Sequence, residues 1–284
     1  MGAADIVPGV SGGTIAFITG IYHRLLAAIS SVDVGMLRTL LRGDVPGVWR
    51  HLDGGFLLAL LLGILTSAFT LASLISGLLE SHPLFVWSLF FGLILASGFM
   101  LLGHVSRWGP GCLIGLLAGT AIAISIALIP SMTLQPSSAG FFFAGFVAIC
   151  AMILPGVSGS FILVLLGMYP PVLAAIDNLD FVRLGIFATG AASGLLVFSR
   201  LVRLLLERFH APTLATLTGF LFGSLLLVWP WQLLPVDGQR AVAVLPSRYA
   251  TELGNPQILV CLLLMCVGAG FVWLIEKYWG GAES

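Results

Sequence analysis

The sequence predicts an all-α polytopic membrane protein made of two inverted-topology repeats, each a re-entrant helical hairpin followed by three transmembrane helices. Three observations carry this reading. The chain is 59% hydrophobic and 8% charged, with a mean hydropathy of +1.11, and a soluble domain of its size could not be covered by so little polar surface. One phrase occurs twice: Val7 to Thr14 reads V-P-G-V-S-G-G-T and Leu154 to Phe161 reads L-P-G-V-S-G-S-F. Each copy places a Pro-Gly helix breaker inside an apolar stretch, a pattern that marks a binding site built from interrupted helices.

The echo continues at a constant offset of 147 residues. Over Val7 to Asp33 against Leu154 to Asp180, 13 of 27 positions are identical, with ungapped runs of five and four. Gly20/Gly167, Tyr22/Tyr169 and Asp33/Asp180 are among them. Further on, Gly63 precedes Glu80 by 17 residues and Gly190 precedes Glu207 by 17, and both acids follow Leu-Leu.

The elements follow in order. The first hairpin covers residues 1–31. Spans are expected over 54–79, 83–103 and 109–130, which closes the first repeat at residue 130. The second repeat runs 139–278, with a hairpin over 139–176 and spans over 181–206, 212–234 and 256–278. Each span supplies about the 20 apolar residues that a bilayer core requires, with the 212–234 span narrower than its bounds because Pro230 is expected to end it. Pro83, Pro212 and Pro256 stand where a helix begins, the position at which proline costs least. In the second hairpin Ala139 to Ile153 is apolar but too short to cross alone. After the break, Phe161 to Ile176 is read as a second half-helix. Irregular backbone at that depth must be buried in protein or face a polar cavity. A single broken helix that crosses is the competing reading. The partner of 139–153 should run from before residue 1 to Ile6, so either the first half-helix is short or the chain begins downstream of its natural start.

A hairpin adds no net crossing and three is odd, so the halves take opposite orientations about an axis in the membrane plane. The side of the 31–53 loop then carries Arg38, Arg42, Arg50, Arg107, Arg203, Arg208 and Lys277, against Arg183, Arg240 and Arg248 opposite. The excess makes that side cytoplasmic, with both termini inside. Trp87, Trp108, Trp229, Trp231 and Trp279 read mostly as an interfacial aromatic belt.

The duplicated phrase has a chemistry. Pro8-Gly9 and Pro155-Gly156 end the first half-helices, and Ser11 and Ser158 suit the caps of the second. Gly12, Gly13 and Gly159 leave backbone N–H groups open to close approach. A helix N-terminus is an anion site, and two are expected to face each other near the axis. Ser11, Thr14, Ser158 and Ser160 add hydroxyl donors without burying a full cation, which is costly in lipid. Small residues also serve plain helix packing, but the duplication favours a phosphate or carboxylate site.

Ionisable residues are weighed one by one. Arg24, whose mate at the 147 offset is Pro171, either binds the anion or reaches to the interface. Arg200, Arg203 and Glu207 share a helix face and read as a self-compensating ladder, with Arg200 also a candidate anion ligand. Asp5 is a candidate coupling group for H+ or Na+, or a partner of Arg24 or Arg200. Glu80 and Glu207 are repeat mates that are candidate gates or proton carriers, although solvated acids at the interface are the commoner explanation. His82, His104 and His210 lie at span ends and read as interfacial.

Several classes are excluded. A net charge of zero gives no sign of nucleic acid. Cys112, Cys150, Cys261 and Cys266 match no C-x-x-C or zinc spacing and read as packing residues. No His stands in either motif and no carboxylate cluster accompanies them, so phosphatase and metal-assisted chemistry are not expected. The chain reads as a non-enzyme without cofactor or metal. A secondary transporter of a small anion is the nearest alternative to a lipid carrier.

The stretch Ala3 to Thr14, together with Leu154-Pro155-Gly156-Val157-Ser158-Gly159-Ser160, resembles the bacterial polyprenyl-phosphate transporter family over nearly the whole chain. The resemblance implies a flippase that recycles undecaprenyl phosphate, the lipid carrier of cell-wall synthesis, across the inner membrane by alternating access. It implies that Asp5, Pro8, Gly9, Ser11, Gly12, Gly13 and Thr14 form one half of the site, and Pro155, Gly156, Ser158, Gly159 and Ser160 the other. Family members carry more residues before the first motif, so the chain is expected to be truncated there.

Overall fold

The structure is a computed structural model that describes residues 1–2, 11–105, 107–129, 134–233 and 242–279. Asp5, Pro8 and Gly9 lie outside the described residues. The first hairpin region gives α1 (Gly12–Ile18) and α2 (Tyr22–Ser30), followed by two surface helices, α3 (Val34–Leu41) and α4 (Val45–His51). Three long helices come next: α5 (Gly54–Ser81), α6 (Pro83–Gly103) and α7 (Pro110–Leu128). The second hairpin region gives α8 (Ser138–Ile153), α9 (Gly159–Leu165) and α10 (Tyr169–Asp177). Then come α11 (Phe181–Arg208), α12 (His210–Ser224), a two-stranded ribbon of β1 (Gln232–Leu233) and β2 (Val242–Ala243), α13 (Pro246–Glu252) and α14 (Ile258–Trp279).

Among the described residues, α5, α6, α7, α11 and α14 are long and apolar enough to cross a membrane, and the chain is an all-α polytopic membrane protein. The bounds repeat as the sequence does. The α1 and α2 ranges recur in α9 and α10 at an offset of 147, and α5 recurs in α11 at 127, both 28 residues long. The offset drops because residues 34–53 are extra: Asp180 is the counterpart of both Asp33 and Asp53. Asp33 caps α3 by accepting from the Met36 N–H, and Asp180 caps α11 by accepting from Arg183 N–H. The extra segment exposes Leu41 and Trp49 beside Arg38, Arg42 and Arg50, the composition of an interfacial element.

Two sequence expectations need correction. The second arm of each hairpin is not one half-helix over 161–176: α9 and α10 meet at 108°, and α1 and α2 at 117°. Gly167 (φ 68°) and Gly20 (φ 74°) make those corners in the left-handed region, where a Cβ is penalised. The expected span over 212–234 is helical only to Ser224. Turns follow, and Trp231 is buried, its indole donating to the Pro256 carbonyl (2.9 Å), not standing in an interfacial belt.

Helices in lipid gain little from apolar burial against each other, so close packing must join them. Glycines allow it here. A Cβ on Gly119 would overlap the Thr216 carbonyl, and one on Gly268 would overlap Leu89 carbonyl. A Cβ on Gly219 would overlap Leu116 carbonyl, and one on Gly92 the Met265 carbonyl. These are one contact made twice. Thr216 and Leu89 are 127 apart, as are Gly219 and Gly92; Gly119 and Gly268 are 149 apart, as are Leu116 and Met265. The pairs are α7 on α12 and α6 on α14, so each half of the chain lends its last helix to the other half. Gly190 and Gly145 hold α11 against α8 in the same way, on the Phe142 and Phe187 carbonyls.

Gly119→Ala and Gly268→Ala should each cost about 1–3 kcal/mol through overpacking. Gly63→Ala enters open space and should be neutral or gain up to about 1 kcal/mol of helix propensity. Thermal unfolding in one detergent compares all three.

Candidate functional site

The second hairpin sets the site's geometry. α8 ends at Ile153, and its last carbonyls have no partner within the helix. Leu154 to Ser158 turn the chain, with Gly156 at φ 83°. A Cβ on Gly156 would stand 2.8 Å from Ser224 Oγ and 2.9 Å from the Phe220 carbonyl, so only glycine brings the turn this close to α12. Pro155 cannot continue α8 because its ring occupies the place of an amide proton.

The α1–α2 region closes on this turn. Ser11 is extended and caps α1, its Oγ accepting from Gly13 N–H at 3.1 Å and donating to the Met152 carbonyl at 3.3 Å. Thr14 Oγ1 accepts from the Gly156 N–H at 2.9 Å. Tyr22 donates its hydroxyl to the Ile153 carbonyl at 3.0 Å. A Cβ on Gly13 would meet the Met152 carbonyl at 2.7 Å. The N-terminus of α1 therefore abuts the C-terminal carbonyls of α8, positive end to negative end. This end-to-end contact of α1 with α8 was not among the sequence expectations.

The junction is closed. Ser11, Thr14 and Ser158 are 1%, 0% and 5% exposed. Ser158 occupies the position before α9 but makes no capping bond, because its hydroxyl is paired with Ser160 Oγ at 2.8 Å. Ser160 is exposed, and Gly159 is tight against α8, where a Cβ would meet the Ala148 carbonyl at 2.8 Å. Gly12 is buried with the rest of the α1 start.

The charged candidates among the described residues stand elsewhere. Arg24 is bidentate to Asp53 (2.6 and 3.1 Å), lies 4.4 Å over the Phe56 ring, and is 57% exposed at its side chain. The Arg24 guanidinium holds the Asp53 carboxyl below its usual range. Arg200 donates to the Val32 carbonyl. Arg203 binds Glu207 at 2.8 Å and Ser30 Oγ at 3.0 Å. The ladder expected of Arg203 and Glu207 is present, and it also ties α11 to the outer arm of hairpin one. Glu80 is exposed. No group of three potential metal ligands occurs among the described residues. Tyr22 and the Met152 and Ile153 carbonyls were not among the sequence candidates. The identity of Tyr22 with Tyr169 was a signal for the first; backbone acceptors leave none.

The profile of the undecaprenyl phosphate translocase-like family matches residues 1–240. A polyprenyl-phosphate transporter from Vibrio cholerae is 43% identical over 288 aligned positions, covering 98% of this chain and 94% of the relative. A polyprenyl-phosphate transporter from Staphylococcus aureus is 33% identical over 248 positions, covering 81% and 83%. No solved structure matches the chain.

Thr14→Val leaves the buried Gly156 N–H unpaired, and Tyr22→Phe does the same to one bond of the Ile153 carbonyl. Each should cost about 1–3 kcal/mol. A Thr14→Val/Tyr22→Phe double-variant cycle read by unfolding should show the two losses coupled, since both act on one junction.

Proposed function

The chain belongs to the undecaprenyl phosphate translocase-like family, and from that premise we propose that it is a flippase of undecaprenyl or other polyprenyl phosphate. It would carry the lipid across the bacterial inner membrane, with both termini cytoplasmic, and so recycle the carrier for cell-wall synthesis. We read it as a carrier and not an enzyme, since neither motif holds a nucleophile–base pair.

One observation carries this reading. The repeated phrase forms the junction between two broken helical segments, and its donors are spent on protein acceptors: Ser11 on the Met152 carbonyl, Gly156 N–H on Thr14. Parting the junction would release both donors, along with the Ser158–Ser160 pair, into a cavity between apolar helices. A phosphate's oxygens would accept from them there, while the prenyl tail stays in lipid through a lateral opening. The closed junction is then the occluded state of an alternating-access cycle. The inverted arrangement of the halves, supported by the duplicated glycine contacts, supplies the two openings. The phosphate site comprises Ser11, Gly12, Gly13, Thr14, Ser158, Gly159 and Ser160. Arg24 and Arg200 serve the surface end of the path. Asp5 is the carboxylate nearest the first motif in sequence and the coupling group for H+ or Na+. Asp5→Asn should then abolish the pH or sodium dependence of transport, measured as initial rates.

The test is translocation of a fluorescent prenyl phosphate in proteoliposomes. Ser11→Ala/Ser158→Ala should slow it about tenfold or more, the worth of lost hydrogen bonds to a charged head. Prenyl alcohol should not be carried or compete. Transport of inorganic phosphate instead, or an unchanged rate in the double variant, would overturn the reading.

A further inference from the structure

A second polar concavity lies away from the motif, between α2 and the corner where α11 passes into α12. Its volume is about 370 Å³; His23, Arg203, Glu207 and His210 line it, over a floor that includes Leu26 and Leu206. The His23 and His210 rings are near-parallel, 17° apart in plane with centroids 5.8 Å apart. Leu26 and Leu206 are 2% and 3% exposed and belong to the main core, so the floor is fixed while the polar rim opens outward.

The duplicated scaffold makes this cluster informative. At the offsets of the repeat, the counterparts of His23 and His210 are Pro170 and Pro83, and the counterpart of Arg203 is Ser76. Arg24 and Arg200 correspond to Pro171 and Ser73. Of the four rim residues only Glu207 has a titratable counterpart, Glu80. The frame is repeated, but the cationic chemistry is built at one end only. The packing differs as well: Leu173, the counterpart of Leu26, is 42% exposed where Leu26 is 2% exposed, so the polar cluster accompanies a contact between α2 and α11 that the other half does not repeat.

We propose that this pocket is a one-sided docking site for a phosphate monoester. The proposal rests on the lipid-phosphate reading above and gives it a second, peripheral station. Imidazole offers an N–H donor when neutral and two when protonated. The Arg203 guanidinium offers a planar fork that suits phosphate oxygens. Its present partner, Glu207, is 59% exposed and Arg203 is 45% exposed, and such ion pairs are weak enough to be exchanged. A phosphate that accepts at the edges of the two imidazoles takes Arg203 from Glu207. Arg203 also holds Ser30 at 3.0 Å, so occupancy is felt by hairpin one. The exposed Arg38, Arg42 and Arg50 of the extra segment stand at the same end of the chain path, as the bonds from Arg200 to Val32 and from His51 to Ser31 show. They concentrate anionic lipid there.

The experiment uses full-length protein in nanodiscs and a farnesyl phosphate with a photoreactive group beside the phosphate. Crosslinks are mapped by peptide mass spectrometry, and the motif and the pocket are scored separately. The expected result is labelling at both, with pocket labelling reduced about tenfold in His23→Gln/His210→Gln and motif labelling kept. Arg203→Gln serves as a second variant, and unchanged melting temperatures establish folding of both. Protection by unlabelled farnesyl phosphate but not by farnesol identifies the headgroup as the determinant. Protection by inorganic phosphate at equal concentration would assign the pocket to the free anion. Labelling at the motif alone overturns the pocket and leaves the transport reading standing. Labelling at neither overturns both.

Discussion

A helix broken within a bilayer leaves backbone groups that lipid cannot satisfy, and this constraint organises the molecule. α8 stops at Ile153 and presents carbonyls to its surroundings. Three hydroxyl side chains of the other hairpin region meet that break: Ser11 and Tyr22 donate to carbonyls 152 and 153, and Thr14 accepts from the amide of Gly156. The glycines of the phrase bring the two backbones near enough for such short side chains to reach. Proline makes the break, glycine permits the approach and the hydroxyls repair the loss. A substitution at any one of them leaves the others without purpose.

On the proposed reading, the same bonds let a structural junction serve as a transport site. Groups able to bind phosphate in a low-dielectric place are costly when unpaired. Pairing them with protein while the site is empty removes that cost. A ligand that offers better acceptors would take the donors over, which would link opening of the junction to binding of the headgroup. The carbonyls left behind would then need other donors, which would tie the ligand to movement of α1 against α8.

Around this junction the long helices are joined by glycine crossings that occur in duplicate, α7 with α12 and α6 with α14. Because each pair takes one helix from either half of the chain, a relative motion of the halves cannot be a simple parting of the first half from the second. The crossings are rigid, since backbone meets backbone with no side chain to yield. The charge distribution over this repeated frame is unequal, with arginine and histidine gathered where α2 meets α11.

The sequence by itself determined the membrane class, because composition leaves no soluble alternative. It also determined the repeat, because Pro-Gly-Val-Ser-Gly at a constant offset is a local and directional signal. Most helix limits were legible in Pro83, Asp180 and the length of apolar runs. It did not reveal that each second arm bends again at Gly20 and Gly167. A glycine reads alike in a tight crossing and in a left-handed corner, and only the neighbouring backbone separates the two. Nor did it reveal that Ser11 would spend its hydroxyl on Met152, that Thr14 would receive Gly156, or that Arg24 would turn to Asp53. Those partners lie as many as 142 residues apart, and pairings at such range depend on the packed arrangement of helices, which no local pattern encodes.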